Sequence, residues 1–100
     1  MGFEWSIKTK NKPLIESLPL IQKCLISEGI ENFTADSVSI SVPPSGEHFL
    51  YGKKHYSDWG MEFIIKDDYL YHLNYTGEGI VERIRQVLEE NGFGIKVEEL

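Results

Sequence analysis

Residues 59–100 constrain this chain more than any other part of it. They read as two alternating strands joined by a tight acidic turn, then an amphipathic helix with a marked stop, then a third alternating strand. Along each strand, bulky side chains recur at every second position. Each strand therefore has one face to bury and one to leave open, and needs a sheet covered on one side only.

The hairpin strands run 59–65 and 69–75. A two-residue turn at Asp67-Asp68 pairs Phe63 with His72 and Met61 with Asn74, which sets polar groups into the apolar face. A three-residue loop over 66–68 pairs Ile65 with Tyr69, Phe63 with Tyr71, Met61 with Leu73 and Trp59 with Tyr75. A slip of one residue turns over a strand's whole face, so burial favours the three-residue register. That register asks Asp68 to sit near the left-handed region, which Asp tolerates better than most residues. It sets Glu62 opposite His72, and Ile64 opposite Leu70, on the uncovered side.

Thr76 then caps a helix whose stripe is Ile80, Ile84, Val87 and Leu88, with Val81 beside it. Asn91-Gly92-Phe93 stops the helix, and Phe93, Ile95 and Val97 form a last strand. Near the N-terminus Phe3, Trp5 and Ile7 alternate with Glu4, Ser6 and Lys8, a further strand. Asn11 is placed to cap a helix, and Pro13 suits a first helical turn. Leu14, Leu18, Ile21 and Leu25 share a stripe, but Pro19 interrupts it. The pattern predicts a short turn ending near Glu16 and a restart with Ser17 as cap. Gly29-Ile30 stops this helix as Gly92-Phe93 stops the other. Val38, Ile40 and Val42 alternate with serines, Pro43-Pro44-Ser45-Gly46 makes a turn, 47–51 reads as a strand and 52–58 as a polar loop.

The predicted fold is α+β in the order β-α-β-β-β-β-α-β. A five- to six-stranded, mostly antiparallel sheet carries two helices packed on one face. Short connections around the second helix imply a right-handed crossover, and hence a mixed sheet. One hundred residues make a single domain, 1–100.

Composition narrows the function classes. Cys24 is the only cysteine, which excludes an internal disulfide and a cysteine-based zinc site. His48, His55 and His72 match no metal-ligand spacing, so no metal and no cofactor are expected. No apolar stretch approaches the ~20 residues of a membrane helix. The first residues, MGFEWSIKTK, lack the pattern of a signal peptide and read as strand, so a cytoplasmic location is expected. Sixteen acidic residues against ten basic ones leave a net charge of −6. That balance disfavours nucleic acid and anionic lipid and favours a basic partner. A local patch of Lys8, Lys10, Lys12, Lys53 and Lys54, with Trp5 or Tyr56 as a stacking platform, is the one feature that points toward nucleic acid.

No motif carries a reaction by itself. Thr76-Gly77-Glu78-Gly79 has the outline of a phosphate turn, but Glu78 sets a negative charge where phosphate would lie, and helix capping explains it better. The loop from Tyr51 to Trp59 gathers His55, Tyr56 and Trp59 with two lysines, a composition suited to recognition. On the uncovered face, Glu62 beside His72 suggests acid–base chemistry, and Ile64 with Leu70 suggests a contact spot. The expected function is a small acidic interaction protein of inhibitor, immunity or adaptor type. Its partner-binding residues would be His55, Tyr56, Trp59, Glu62, Ile64, Leu70 and His72. The alternatives are a small enzyme or ligand-binding domain using His55, His72 and Glu62 with Asp58, and a homodimer through the open faces.

Overall fold

The computed structural model describes residues 3–44, 60–75 and 79–100, together with the backbone of 48–50 and 53–55. The chain runs β1 (Phe3–Thr9), a 3-10 turn (Leu14–Glu16), α1 (Ser17–Ser27), β2 (Thr34–Ala35), β3 (Ser39–Val42), β4 (His48–Leu50), β5 (Lys53–His55), β6 (Met61–Ile65), β7 (Leu70–Asn74), α2 (Gly79–Glu90) and β8 (Ile95–Glu99). Six strands form one sheet in the order β2-β3-β6-β7-β1-β8, and β4 pairs with β5 separately. This is the predicted α+β architecture, with both helices supplying the core on one side of the sheet.

Every pairing in the sheet is antiparallel. The expected mixed sheet is corrected for a simple reason. The crossover through α2 does join strands that run the same way, β7 and β8, but β1 lies between them and pairs antiparallel with each.

The hairpin register is also corrected. Phe63 pairs with His72, Ile64 with Tyr71 and Ile65 with Leu70. The Lys66 N–H donates to the Tyr69 carbonyl at 2.8 Å, which leaves Asp67 and Asp68 as a two-residue loop. The inward residues of β7 are thus Leu70, His72 and Asn74, all fully buried, while Tyr69, Tyr71, Leu73 and Tyr75 turn to the open face. Physically, the rejected register would bury three tyrosine hydroxyls. The observed one buries an imidazole and an amide that hydrogen-bond to each other.

Both helices end as the glycines predict. In α1 the Gly29 N–H reaches the Ile26 carbonyl and the Ile30 N–H the Leu25 carbonyl, with Gly29 at φ 87°. In α2 Gly92, at φ 85°, and Phe93 do the same toward Glu89 and Leu88. Each stop folds an apolar residue back onto the last turn, and Ile30 and Phe93 are both buried. The restart at Pro19 also holds: the 3-10 turn ends at Glu16 and α1 begins at Ser17, so Pro19 sits in a first turn that needs no N–H. Ser17 is not the cap, because its hydroxyl donates backward to the Leu14 carbonyl at 2.5 Å.

Asn11 does not cap a helix either. Its side-chain amide donates to the Gly92 carbonyl and its oxygen accepts the Gly94 N–H, each at 2.8 Å. Lys12 adds a bond to the Asn91 carbonyl and lies over the Phe93 ring. The loop after β1 is therefore clasped to the turn after α2. Arg83 of α2 meets Glu28, at the end of α1, at 2.8 Å and joins the two helices.

Two shorter stretches depart from expectation. Val38 is 47% exposed, because the Asp36 carboxylate accepts the N–H groups of Val38 and Ser39 and makes a turn there, so β3 starts at Ser39. Residues 53–55, expected in a loop, form β5 against β4. The proposed Thr76 cap and the Gly77-Glu78 turn lie outside the described residues.

Candidate functional site

The sheet presents its open side as cross-strand rows, fixed by the pairing register and about 6.8 Å apart. The central row runs Ser39, Ile64, Tyr71, Ser6 and Glu98. One row toward the end of β7 come Ser41, Glu62, Leu73 and Glu4. One row the other way, by the same register, come Lys66, Tyr69, Lys8 and Lys96. An acidic row and a basic row thus flank a row that is neutral at its centre. Down the middle, β7 supplies a column of half-buried Tyr69, Tyr71, Leu73 and Tyr75, with half-buried Ile64 beside Tyr71.

Two hollows adjoin this column. One, of about 420 Å³, lies at the acidic end and is lined by Ser41, Glu62, Leu73 and Tyr75 together with Pro43 and Pro44. The other, of about 330 Å³, runs over β1 and β8 from Lys8 and Tyr69 past Ser6 and Glu98 to Leu100, with Asp68 also lining it. Burial, then the charge of Glu4 and a hydrogen bond to it, then Glu62, push the Tyr71 hydroxyl above the usual tyrosine range. Lys66 Nζ lies 5.4 Å from the centre of the same ring. Tyr71 is thus the point where the two charged rows meet. Lys96 holds Glu98 at 3.0 Å and draws its carboxyl below the ordinary range.

The residues singled out by sequence divide. Glu62 and Ile64 are on the open face as expected. Leu70 and His72 are corrected: they belong to the core side, fully buried, because β7 pairs one residue out of the expected register. His72 stacks on Phe63 with ring centroids 4.2 Å apart and on Trp5 at 5.8 Å. Its Nδ1–H donates to the Glu62 carbonyl and its Nε2 accepts the Asn74 amide, both at 2.9 Å. Burial pulls its pKa down to about 4. The link from His72 to Glu62 runs through Glu62's backbone, not its carboxylate, and this imidazole is neutral and sealed at neutral pH. It cannot serve as the surface acid or base that the spacing suggested.

His55 lies in β5 with its backbone opposite His48. Tyr56, Asp58 and Trp59 lie outside the described residues. Trp5 is 5% exposed on the core side, which removes it as a stacking platform for nucleic acid. Cys24 is buried in α1, and burial raises its thiol to about 11, so it is a core residue and not a nucleophile. Among the described residues no group of three metal-ligating side chains converges, and no helix is long and apolar enough to cross a membrane.

Sequence reasoning missed the tyrosine column. The signal is present in Tyr69, Tyr71 and Tyr75, which share one parity, but bulk at alternate positions does not distinguish a core face from a face of half-buried tyrosines. Comparison with protein-family models, curated proteins and solved structures found no match.

Proposed function

We propose that this chain is a small acidic interaction protein that binds a protein partner through the open face of its sheet. The half-buried column of Tyr69, Tyr71, Leu73 and Tyr75, with Ile64 alongside, carries the reading. Tyrosines on a rigid central strand give large contact area at little entropic cost, and a sheet face holds them in fixed positions. The segment 52–59, with His55, Tyr56 and Trp59, supplies further contacts in this reading. Inhibitor, immunity and adaptor roles all fit a compact acidic domain whose buried histidine and cysteine are chemically silent. A reducing, cytoplasmic setting agrees with a lone buried thiol.

The test compares proteins retained from the native host by the wild-type chain and by a Tyr71→Ala, Ile64→Glu variant. Both positions are half-buried on the open side, so circular dichroism should find the variant folded. The reading expects a protein held by the wild type and lost with the variant. An identical set retained by both baits would remove the open face from consideration.

A further inference from the structure

The charges of the open face are not scattered. On β6, Glu62 and Lys66 stand four residues apart with Ile64 between them. On β1, Glu4 and Lys8 stand four apart with Ser6 between them. Since β1 and β6 are both antiparallel to β7, they run the same way, and the two glutamates share one row and the two lysines another. A two-fold axis lying in the plane of the face, along the row of Ile64, Tyr71 and Ser6, exchanges these rows between two copies.

We propose that the occupant of this face is a second copy of the same chain, seated face to face about that axis. The inference rests on the reading of the open face as an interaction surface. Glu4 of each copy then meets Lys8 of the other, and Glu62 meets Lys66. Leu73 meets Tyr69. Tyr71, Ile64 and, at the rim, Glu98 lie on the axis and meet their own copies, and Lys96, 3.0 Å from Glu98, offsets the like charge there. This is the self-complementarity that an isologous interface requires, and aligned packing of two sheets at about 10 Å is its ordinary geometry. A uniformly basic partner would match the glutamate row but meet repulsion from Lys8, Lys66 and Lys96. A second copy matches both rows.

Within one chain Glu4 hydrogen-bonds Tyr71 and Lys66 lies over the same ring, contacts that a second copy shares or displaces. Lys8 approaches Asp68 at 3.9 Å, with both side chains largely in water. Five strands by three rows measure roughly 24 by 20 Å, or about 1,000 Å² over two copies, the low end for a specific interface. The dimer is accordingly a reversible one, formed at micromolar concentration or above and weakened by salt.

The experiment is a charge exchange read by light scattering and sedimentation. One variant carries Glu4→Lys and Glu62→Lys, the other Lys8→Glu and Lys66→Glu. All four positions are exposed, so circular dichroism and melting should show both variants folded. The wild type is expected to pass from 11.5 kDa toward twice that mass as concentration rises. Each variant alone should dimerise at least about tenfold more weakly, because like charges then face each other in every pair. The equimolar mixture should recover the dimer, since the four exchanged positions are then all basic on one face and all acidic on the other. A wild type that stays at the monomer mass overturns the inference. So does a dimer that persists in each variant, which would lie elsewhere, such as the free edge of β8. If the wild type is monomeric yet still captures a host protein in a Tyr71-dependent way, the second copy is refuted while the interaction reading stands.

Discussion

The side-chain amide of Asn74 donates to Nε2 of His72 at 2.9 Å, both residues being fully buried. This bond fixes the imidazole as the Nδ1–H tautomer, whose proton goes to the Glu62 carbonyl. Two polar groups in the core thus satisfy each other and a strand backbone, and the ring stacks on Phe63 and Trp5 like an aromatic core residue. A protonated ring would lose the Asn74 bond and bring a charge into the core.

That arrangement makes stability depend on pH in a defined window. The folded pKa of His72 is lowered to about 4 from the ordinary 6.5, so between these values the unfolded chain binds a proton that the folded chain refuses. Stability contributed by the neutral ring is complete above pH 6.5 and is lost as pH falls toward 4, by roughly 3 kcal/mol. Urea midpoints measured across that range should fall steadily. In His72→Leu the midpoint at pH 7 should be lower, and the decline between 6.5 and 4 should flatten. An unchanged slope in that variant would assign the acid sensitivity to other groups.

Gly60 precedes β6 where the chain comes hard against β3. A Cβ placed there would fall on the Val42 carbonyl oxygen, with the carbonyl carbons of Val42 and Pro43 behind it at 3.1 and 3.2 Å. These are backbone atoms and cannot rotate away. Gly60→Ala should therefore separate β3 from β6 at their Val42–Met61 pair and cost about 1–3 kcal/mol, read as a lower melting temperature. Amide exchange should speed first at Val42 and Met61, whereas a uniform change across the sheet would point to a different cause.

The fold was largely legible because its signals are local. Alternation marked β1, β6 and β8, and the Gly29 and Gly92 stops act within single turns. The hairpin register was not legible from bulk alone. It turns on a comparison between burying Tyr hydroxyls and burying a His72–Asn74 pair, and that pair becomes tolerable only when both members and the Glu62 carbonyl converge. The same one-residue difference in register separates an open face bearing Leu70 and His72 from the observed one bearing the tyrosine column. Asn11 failed in a related way. Its local neighbours suggest a cap, while its partners, Gly92 and Gly94, lie at the far end of the chain.

Asn11→Ala tests that clasp. The substitution removes both side-chain bonds to the turn after α2 and leaves the backbone bond from Lys10 N–H to the Gly94 carbonyl. The site is exposed, so water can replace part of what is lost, and a cost of about 1–2 kcal/mol is expected. Amide exchange should rise at Gly94 with helix content unchanged. Loss of helical signal instead would restore Asn11 to the capping role that its sequence position suggests.

Cys24 reports on opening of the helix layer. Its thiol is 2% exposed within α1, and burial raises it to about 11, with Arg83 partly offsetting this and Glu28 adding to it. Very little thiolate exists at neutral pH, and a reagent cannot reach the sulfur without movement of α1. Alkylation of the native protein should therefore be slow and should accelerate with denaturant in step with unfolding. Arg83→Met removes the 2.8 Å ion pair that ties α2 to Glu28 at the C-terminal end of α1, where a carboxylate is disfavoured by the helix dipole. Labelling of Cys24 in that variant should be faster at low denaturant, before the global transition. If the rate tracks only global unfolding in both chains, α1 opens as part of the whole domain and the Arg83–Glu28 contact does not govern it.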